Sequence, residues 1–252
     1  MLAVFDKAVA KGPEALKNLD TDSAQFSAPK DGSFIKYFNS VQPDSVSLNF
    51  GSSGFIAYSS HKKNPLLPRL FSVVDDIFCL FQGHIENIAP LKQQYGLTKT
   101  ANEVSVVIEA YRTLRDRGPY PANHVVRDIN GKFAFILYDN TSKSVFAAVQ
   151  DADGTVPFFW GMDSDNSLVL SDDEVVVKKA CGKSFAPFPK GCFFTSSGGL
   201  RSFEFPQKEL KATPWVDSLG EVCGSIFMVD EHSRKETGMP RVGSASNWST
   251  QF

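Results

Sequence analysis

The sequence lacks the long apolar runs that membrane-spanning helices require. Its 252 residues are 42% hydrophobic, but no stretch approaches the roughly 18 consecutive apolar residues of such a helix. The first residues hold no basic segment followed by a long apolar one, and they do not have the composition of a transit peptide. We therefore expect a cytoplasmic protein without integral membrane association, and the nucleus is also open to a chain of this size.

An excess of basic charge is also missing. Lys and Arg number 26 and Asp and Glu 28, which gives a formal net charge of −2. Nonspecific binding to nucleic acid usually requires a basic excess or a dense basic stripe, so we expect no nucleic-acid partner. The composition is instead that of a globular protein with a large hydrophobic core.

Cysteine and histidine are few, and neither shows the spacing of a metal site. The chain has four of each, without a C-x-x-C pair or an H-x-x-x-H pattern, so we expect free thiols and neither a metal nor another cofactor. No G-x-S-x-G, Walker A or H-E-x-x-H motif is present. The acidic turns that begin at Asp151 and Asp163 lack the Glu of a calcium loop, and we interpret them as ordinary turns.

Short strands with helices between them dominate the hydrophobic pattern. The clearest helix runs from 100 to about 117, where Thr100 and Glu103 have the spacing of a capping box and apolar residues recur three, four and seven apart. The pattern predicts an α+β domain of largely antiparallel sheets over residues 1–230, followed by a polar, flexible tail over 231–252. Strands are predicted at 1–5, 45–50, 55–58, 70–74, 77–81, 133–138, 145–149, 156–160, 168–171, 192–195, 200–205 and 225–229, and further helices at 13–19, 33–39, 86–95, 121–127 and 172–180.

Two clusters leave more than one interpretation open. The charged segment from Arg112 to Arg117 is either a solvated helix end or a patch for a partner or a phosphate. The Phe-rich segment from Phe185 to Phe194 is either an aromatic recognition surface or a bend that leads into a buried strand. We favour the solvated helix end and the buried strand, because both are the commoner use of such residues.

Two short motifs, Tyr95-Gly96-Leu97 and Leu114-Arg115-Asp116-Arg117, match those that define a plant protein family. The segments around them, 76–83 and 107–121, are also similar to that family. Its members are described as aluminium-induced, auxin-responsive, wound-induced or stem-specific proteins. The resemblance extends from Met1 to about Val229 and implies a protein of stress or hormone responses.

That family in turn resembles the class-II glutamine amidotransferase domain at the front of asparagine synthetases. Residues 130–139 are similar to that domain's stretch ending F-A-F-x-x-Y-D, and residues 151–161 to its D-x-x-G-x-x-P-x-x-x-G segment. Phe188-Pro189-Lys190-Gly191 is similar to its F-P-x-G. The resemblance implies the fold of the N-terminal-nucleophile hydrolases, a four-layer αββα sandwich of two largely antiparallel sheets.

The resemblance also identifies the residue at the nucleophile position. In an amidotransferase of this type, a cysteine follows the initiator methionine, attacks the glutamine amide and uses its own α-amine as base. Leu2 stands at that position in this chain and offers no nucleophile. We therefore predict no catalytic residue and a protein that is not an enzyme.

The remaining pocket positions are partly altered. Arg69 matches the arginine that binds the substrate carboxylate, and Gly83 matches a glycine whose backbone N–H is available as a donor. Gln82 replaces the asparagine of the oxyanion hole, while His84 replaces a glutamate and Ala101 an aspartate that binds the substrate ammonium. We predict that these five residues line a ligand pocket.

Two uses of such a pocket remain open. In one, Arg69 anchors a small anionic or amino-acid-like ligand. In the other, Arg69 pairs with an internal carboxylate and the cleft is filled. For the whole protein, the alternatives to a non-catalytic binding role are a weak or unconventional glutamine amidotransferase and a self-associating module, with a homodimer as the expected assembly.

Overall fold

The computed structural model describes residues 1–16, 32–42, 44–60, 64–117, 122–216 and 222–230, with the backbone alone at 222 and 223. The predicted tail, 231–252, lies outside these ranges. The strands are β1 (Leu2–Phe5), β2 (Ser45–Asn49), β3 (Gly54–Ser59), β4 (Arg69–Val74), β5 (Ile77–Ile85), β6 (Gly131–Asp139), β7 (Ser144–Gln150), β8 (Phe159–Met162), β9 (Leu168–Ser171), β10 (Phe185–Pro187), β11 (Cys192–Thr195), β12 (Gly199–Ser202), β13 (Leu210–Val216) and β14 (Val222–Val229). The α-helices are α1 (Ser33–Val41), α2 (Ile88–Gln94), α3 (Glu103–Asp116), α4 (Ala122–Arg127) and α5 (Glu174–Cys181).

Two six-stranded sheets form the centre of the fold. The first has the order β10-β8-β9-β1-β3-β2 and the second β12-β11-β7-β6-β5-β4, while β13 and β14 form a separate hairpin. Every pair of neighbouring strands in these sheets is antiparallel. Antiparallel pairing throughout agrees with the prediction from the short, turn-separated strands.

Three buried clusters define four layers. One cluster lies between the sheets, the second joins the outer face of the second sheet to α2, α3 and α4, and the third joins the first sheet to α1 and α5. Strand β1 contributes to two of them, because Ala3 and Phe5 face the other sheet while Leu2 and Val4 face the helices. This alternation follows from the two-residue period of a strand, and it explains why β1 is apolar on both faces. The predicted αββα sandwich is therefore confirmed.

Helix α3 begins later than its sequence pattern predicts. Its N-cap is Asn102, whose side-chain oxygen accepts hydrogen bonds from the Ser105 N–H at 3.1 Å and the Ser105 hydroxyl at 3.0 Å. Thr100 lies outside the helix, with its hydroxyl 3.1 Å from that of Thr98. The capping-box prediction is wrong because asparagine at 102 caps equally well and is nearer to the first apolar residue of the helix.

Some of the other differences concern strands that contain or adjoin proline. The predicted strand at 156–160 is displaced to β8, and the strands β10 and β13 have no counterpart in the prediction. Pro187 and Pro214 lie within the two missed strands. Both are strands at a sheet edge or in a two-stranded hairpin, where proline is tolerated because a ladder N–H is not required at every position.

Candidate functional site

A buried ion-pair network lies where β1, β4 and β9 converge. The pairing of Leu2 with Ser171 brings the start of the chain next to the residue that follows β9, Asp172. The α-ammonium group of Met1 donates a hydrogen bond of 2.7 Å to Oδ1 of Asp172. Arg69, the first residue of β4, forms an ion pair through Nη2 with the other oxygen, Oδ2, of the same carboxylate.

Burial controls the electrostatics of this network. The side chains of Arg69 and Asp172 are 5% and 2% exposed, so their charges have little access to water. Burial lowers the pKa of the Met1 amine, although Asp172 opposes this effect by favouring the charged form. A single carboxylate therefore serves two basic groups, and the Arg69 guanidinium is already neutralised within the protein.

Arg69 and Gln82 line one cavity because they are direct partners across β4 and β5. The cavity has a volume of about 190 Å³. Within the described part of the chain, the Gln82 side-chain oxygen Oε1 is buried and has no hydrogen-bond partner. The described residues that line the cavity are Asn64, Leu67, Arg69, Gln82, Thr155, Pro157 and Asp172.

The predicted donor role of Gly83 is wrong for this conformation. Its backbone N–H donates a hydrogen bond of 3.0 Å to the carbonyl oxygen of Pro68 and is not available to a ligand. The glycine is required for a different reason. Its φ is +109°, and a Cβ at this position would lie 2.0 Å from the carbonyl oxygen of Lys132 on β6.

His84 and Ala101 do not join Arg69 in the cavity. His84 is exposed, and its Nε2 lies 2.9 Å from the carbonyl oxygen of Leu66. It lines an adjoining cavity of about 380 Å³. Ala101 precedes α3, where its N–H donates to the Thr98 carbonyl at 3.1 Å, and it lines neither cavity. The structure thus brings together only two of the five predicted pocket residues.

The side chain of Leu2 also lies away from the cavity. It is fully buried in the layer between the first sheet and the helices α1 and α5. Met1, which precedes β1, reaches the network through its amine. Its thioether side chain packs between the sheets. Neither side chain carries an acidic hydroxyl or thiol.

Sequence reasoning missed Asp172 as a member of the site. An internal carboxylate for Arg69 was one of the open alternatives, and the ion pair agrees with it. The predicted helix at 172–180 assigned Asp172 to a helix start, but α5 begins at Glu174 with Asp173 as its N-cap. The available signal was the acidic residue directly after the strand 168–171, since an antiparallel strand beside β1 must end next to Met1.

The second motif of the family, which contains Arg115, does more than end a helix in solvent. Nη1 of Arg115 donates to Oδ2 of the buried Asp139 at 3.2 Å, and Tyr111 donates to the same oxygen at 3.0 Å. Arg115 also pairs with the exposed Asp116, at 2.7 Å from Nε. The interpretation as a purely solvated helix end therefore needs correction, because one of its charges holds a buried carboxylate.

The Phe-rich segment agrees with the favoured interpretation, a bend that leads into a buried strand, since Phe185, Phe188, Phe193 and Phe194 are buried.

The described residues contain neither a cluster of three or more potential metal ligands nor a helix that is long and apolar enough to cross a membrane. Cys79, Cys181 and Cys192 are buried free thiols. Burial raises the pKa of each, that of Cys192 to about 12.

Comparison with solved structures agrees with the fold. Glutamine phosphoribosylpyrophosphate amidotransferase from B. subtilis, complexed with ADP and GMP, aligns with a TM-score of 0.50 and 13% identity. The alignment covers 80% of this chain and 48% of that one. The fold is that of the N-terminal-nucleophile glutamine amidotransferases.

Two kinds of protein are similar to this chain in sequence. Stem-specific protein TSJT1 of Nicotiana tabacum is 36% identical over 148 residues, which are 59% of this chain and 99% of the tobacco protein. A probable glutamine-hydrolyzing asparagine synthetase of Dictyostelium discoideum is 31% identical over 119 residues, which are 45% of this chain and 20% of the synthetase. An asparagine synthetase of rice, Oryza sativa subsp. japonica, is 28% identical over 152 residues and is covered over 24% of its length. The chain thus spans nearly all of the tobacco protein but about a fifth to a quarter of the two synthetases.

A model of one protein family matches residues 2–229. The match includes both sheets, the Arg69–Asp172 ion pair and the motif that contains Arg115. It carries the description "Aluminium induced protein". On this match, and on the fold that the site is built into, the chain belongs to the aluminium-induced protein family, which is related to the class-II glutamine amidotransferase domain.

Proposed function

We propose that this chain is a non-catalytic member of the amidotransferase-like proteins, which acts in stress or hormone responses of plants by binding a small molecule or by self-assembly. The observation that carries the proposal is the environment of the first two residues. Leu2 is a hydrocarbon packed against helices, and Met1 contributes an amine and a thioether. An N-terminal-nucleophile mechanism requires a hydroxyl or thiol beside the α-amine.

The state of Arg69 supports the same proposal. In a glutamine-hydrolysing site the matching arginine binds the substrate carboxylate, whereas here Asp172 already occupies the guanidinium. A glutamine molecule would have to displace an internal ion pair that is almost fully buried. Breaking such a pair leaves an uncompensated charge and costs about 3–5 kcal/mol.

One observation favours the alternative of a weak or unconventional amidotransferase. The pKa of the Met1 amine is lowered by burial, and an amine with a lowered pKa is a suitable general base near neutral pH. The base would nevertheless lack a nucleophile to activate. We therefore keep the non-catalytic function as the conclusion.

Self-assembly has its own support in the hairpin of β13 and β14. Trp215, Ile226 and Met228 are 48%, 44% and 63% exposed, which is unusual for large apolar side chains in one element. A homodimer is the assembly that we propose for this surface. Light scattering over micromolar concentrations tests it, and a constant mass near 28 kDa would exclude it.

Ammonia release from glutamine and from asparagine tests the main proposal. We expect the wild-type protein to release no more ammonia than the buffer. Leu2→Cys should also stay inactive, because its thiol would face α1 and α5 and the pocket positions Gln82, His84 and Ala101 remain altered. Turnover by the wild type that Arg69→Ala abolishes and Arg112→Ala leaves intact would overturn the proposal.

A further inference from the structure

A groove of about 760 Å³ lies where several elements of the second sheet end. Its lining includes the last residues of β7, β12, β14 and α4 and the two residues before β11. It shares no lining residue with the cavity beside Arg69. We call it the polar groove, because Arg127, Lys190, Ser202 and Glu204 are among the residues that line it.

The floor of the polar groove is held by backbone hydrogen bonds. The N–H of Gly191 donates to the Val149 carbonyl at 3.1 Å, and the Gly191 carbonyl accepts from the N–H of Phe203 at 2.9 Å. Ser202 and Phe203 are buried. A ligand therefore meets a floor that is already ordered, which reduces the entropy that binding costs.

Two opposite charges face the polar groove without a partner. Arg127 and Glu204 are both exposed and both line it. Among the described residues, neither forms an ion pair or a hydrogen bond, and they are not paired with each other. A simple anion would bind Arg127 but be repelled by Glu204, and a simple cation would meet the reverse. A molecule that carries both charges satisfies both side chains.

The other two charges of the polar groove compensate each other. The Lys190 ammonium rests against the acidic turn that begins at Asp151, since a Cβ on Gly154 would lie 2.2 Å from its Nζ. Lys132 holds the pKa of Asp153, in the same turn, below its ordinary value, and Lys190 contributes to this effect. Arg127 and Glu204 thus remain the charges that are free to bind a ligand.

Apolar surface adjoins these charges. Phe205 lines the polar groove and is 46% exposed. Lys190 and Val229 also line a neighbouring cavity of about 370 Å³, whose walls include Phe188 and Phe227. An apolar group of a ligand would gain free energy by covering this surface, in proportion to the area removed from water.

We propose that the polar groove binds a small zwitterion of the amino-acid or short-peptide class that carries a large apolar side chain, with its carboxylate on Arg127 and its ammonium on Glu204. The volume of about 760 Å³ corresponds to about 25 water molecules in the liquid, so a dipeptide fits as well as a single amino acid. This inference rests on the small-molecule binding role in the proposed function. It assigns that role to residues other than the five pocket positions that the family resemblance implies.

Isothermal titration calorimetry with defined probes tests the inference. Phenylalanine and the dipeptide leucyl-phenylalanine are the two zwitterions, and at least one should bind saturably at millimolar concentration. Hydrocinnamate lacks the ammonium, phenethylamine lacks the carboxylate and glycine lacks the apolar side chain. Each should bind about tenfold more weakly than phenylalanine or not at all, since a hydrogen bond to a charged group contributes about that much. The tighter of the two zwitterions identifies the ligand as an amino acid or a peptide.

Substitutions assign each charge of the ligand to its partner. Arg127→Gln should abolish the advantage of phenylalanine over phenethylamine, and Glu204→Gln should abolish its advantage over hydrocinnamate. Arg117→Gln and Glu174→Gln, the same changes at exposed positions outside the polar groove, should leave binding unchanged. All four positions are exposed, and thermal unfolding of each variant verifies that it is folded.

Two results would overturn the inference. One is the absence of saturable binding of either zwitterion to the wild type. The other is binding that both Arg127→Gln and Glu204→Gln leave intact, which would mean that the ligand occupies another site, although the binding role in the proposed function would stand. Failure of the non-catalytic proposal is distinct from both, because ammonia release reports it separately.

Discussion

The Asp139 carboxylate accepts four hydrogen bonds away from the candidate cavity. It is the last residue of β6 and accepts from the backbone N–H groups of Thr141 at 2.9 Å and Ser142 at 3.1 Å through one oxygen. The other oxygen accepts from Tyr111 and from Arg115. One carboxylate thus fixes the β6–β7 turn and attaches the end of α3 to it.

Replacing Asp139 with asparagine should destabilise the fold by about 2 kcal/mol, since hydrogen bonds to a charged group contribute about 1.5–3 kcal/mol each and the amide retains only some of them. The measurement is the free energy of unfolding in urea. Asp116→Asn is the matched control, because it changes the exposed partner of the same arginine and should have little effect. Equal losses in the two variants would contradict this role of Asp139.

The same carboxylate makes stability depend on pH in the acid range. Burial alone would raise the pKa of Asp139, but the hydrogen bonds from Ser142, Arg115 and Tyr111 outweigh burial and hold the pKa below its ordinary value. The contribution to stability is therefore fully present above the unfolded pKa of about 3.9 and is lost as pH falls through the lower folded pKa. Urea unfolding between about pH 2 and pH 6 should show a shallower acid decline for Asp139→Asn than for the wild type. Parallel declines would show that groups other than Asp139 cause the loss of stability in acid.

Sequence reasoning could identify Arg69 and Arg115 but not the groups they contact. Each arginine pairs with a carboxylate at least 24 positions away in the chain, Asp172 and Asp139. Such partners follow from sheet register and helix packing, which a single sequence does not specify. Local features were more accessible, as the helix predicted at 86–95 and found as α2 (Ile88–Gln94) illustrates.

At the level of elements, substitutions at the start of α3 test which of two residues caps the helix. Asn102→Ala should cost about 1 kcal/mol because it removes the side-chain acceptor for the Ser105 N–H. Thr100→Ala should cost less than about 0.5 kcal/mol, the usual limit for a surface change without such a feature. Urea unfolding measures both, and a larger cost for Thr100→Ala would restore the capping box that the sequence predicts.

The pairing of β5 with β6 depends on Gly83. Gly83→Ala should cost more than about 3 kcal/mol, at the upper end for single substitutions, because its Cβ would meet the Lys132 carbonyl at 2.0 Å. Gly51→Ala is the matched control, since Gly51 has a φ of +64° but open space around it. It should cost only about 1 kcal/mol, from the left-handed backbone alone. Similar costs for the two alanine variants would mean that the strands separate without difficulty at Gly83.

How well an element could be predicted depends on its length and on its composition. The existence of β5 and β6 was predicted correctly because their apolar residues continue over several positions, although the predicted strand 77–81 ends four residues before β5 does. The strand β13 was not predicted, because its residues are mostly exposed and include proline. The information that makes β13 a strand is its pairing with β14, from Leu210 with Val229 onward.

For the whole molecule, the three buried clusters of the described residues extend from Met1 to Phe227. The predicted domain of residues 1–230 stays a prediction, and a truncated chain tests it. A chain that stops after Asp230 should keep the melting temperature of the full chain within about 2 °C, less than a change of 1 kcal/mol would produce at this size. A lower melting temperature would mean that residues 231–252 stabilise the fold.

A second truncation provides the contrast. A chain that stops after Val216 loses β14 and with it Phe227, whose ring centroid lies 5.1 Å from that of the buried Trp160. Losing a buried aromatic side chain costs about 3–5 kcal/mol, so this chain should melt far lower. Circular dichroism during heating measures both truncations.

The overall architecture was accessible from sequence, because the strand pattern predicted an α+β domain of largely antiparallel sheets and the resemblance to the amidotransferase domain implied the αββα sandwich. The cavity was not, since its composition depends on which residues face each other across β4 and β5 and at the ends of β1 and β9. His84 illustrates the difference: it is two residues from Gln82 in sequence but lies in the adjoining cavity.

The absence of a nucleophile is tested most directly by intact mass after incubation with a glutamine analogue that carries a diazoketone in place of the amide. An active glutamine-hydrolysing asparagine synthetase, treated in parallel, should gain one adduct. We expect the mass of this protein to stay unchanged, since Leu2 and Met1 offer no thiol or hydroxyl and the thiols of Cys79, Cys181 and Cys192 are buried with raised pKa values. Addition of one analogue per chain, abolished by Arg69→Ala, would show a working nucleophile at the cavity and contradict the non-catalytic function.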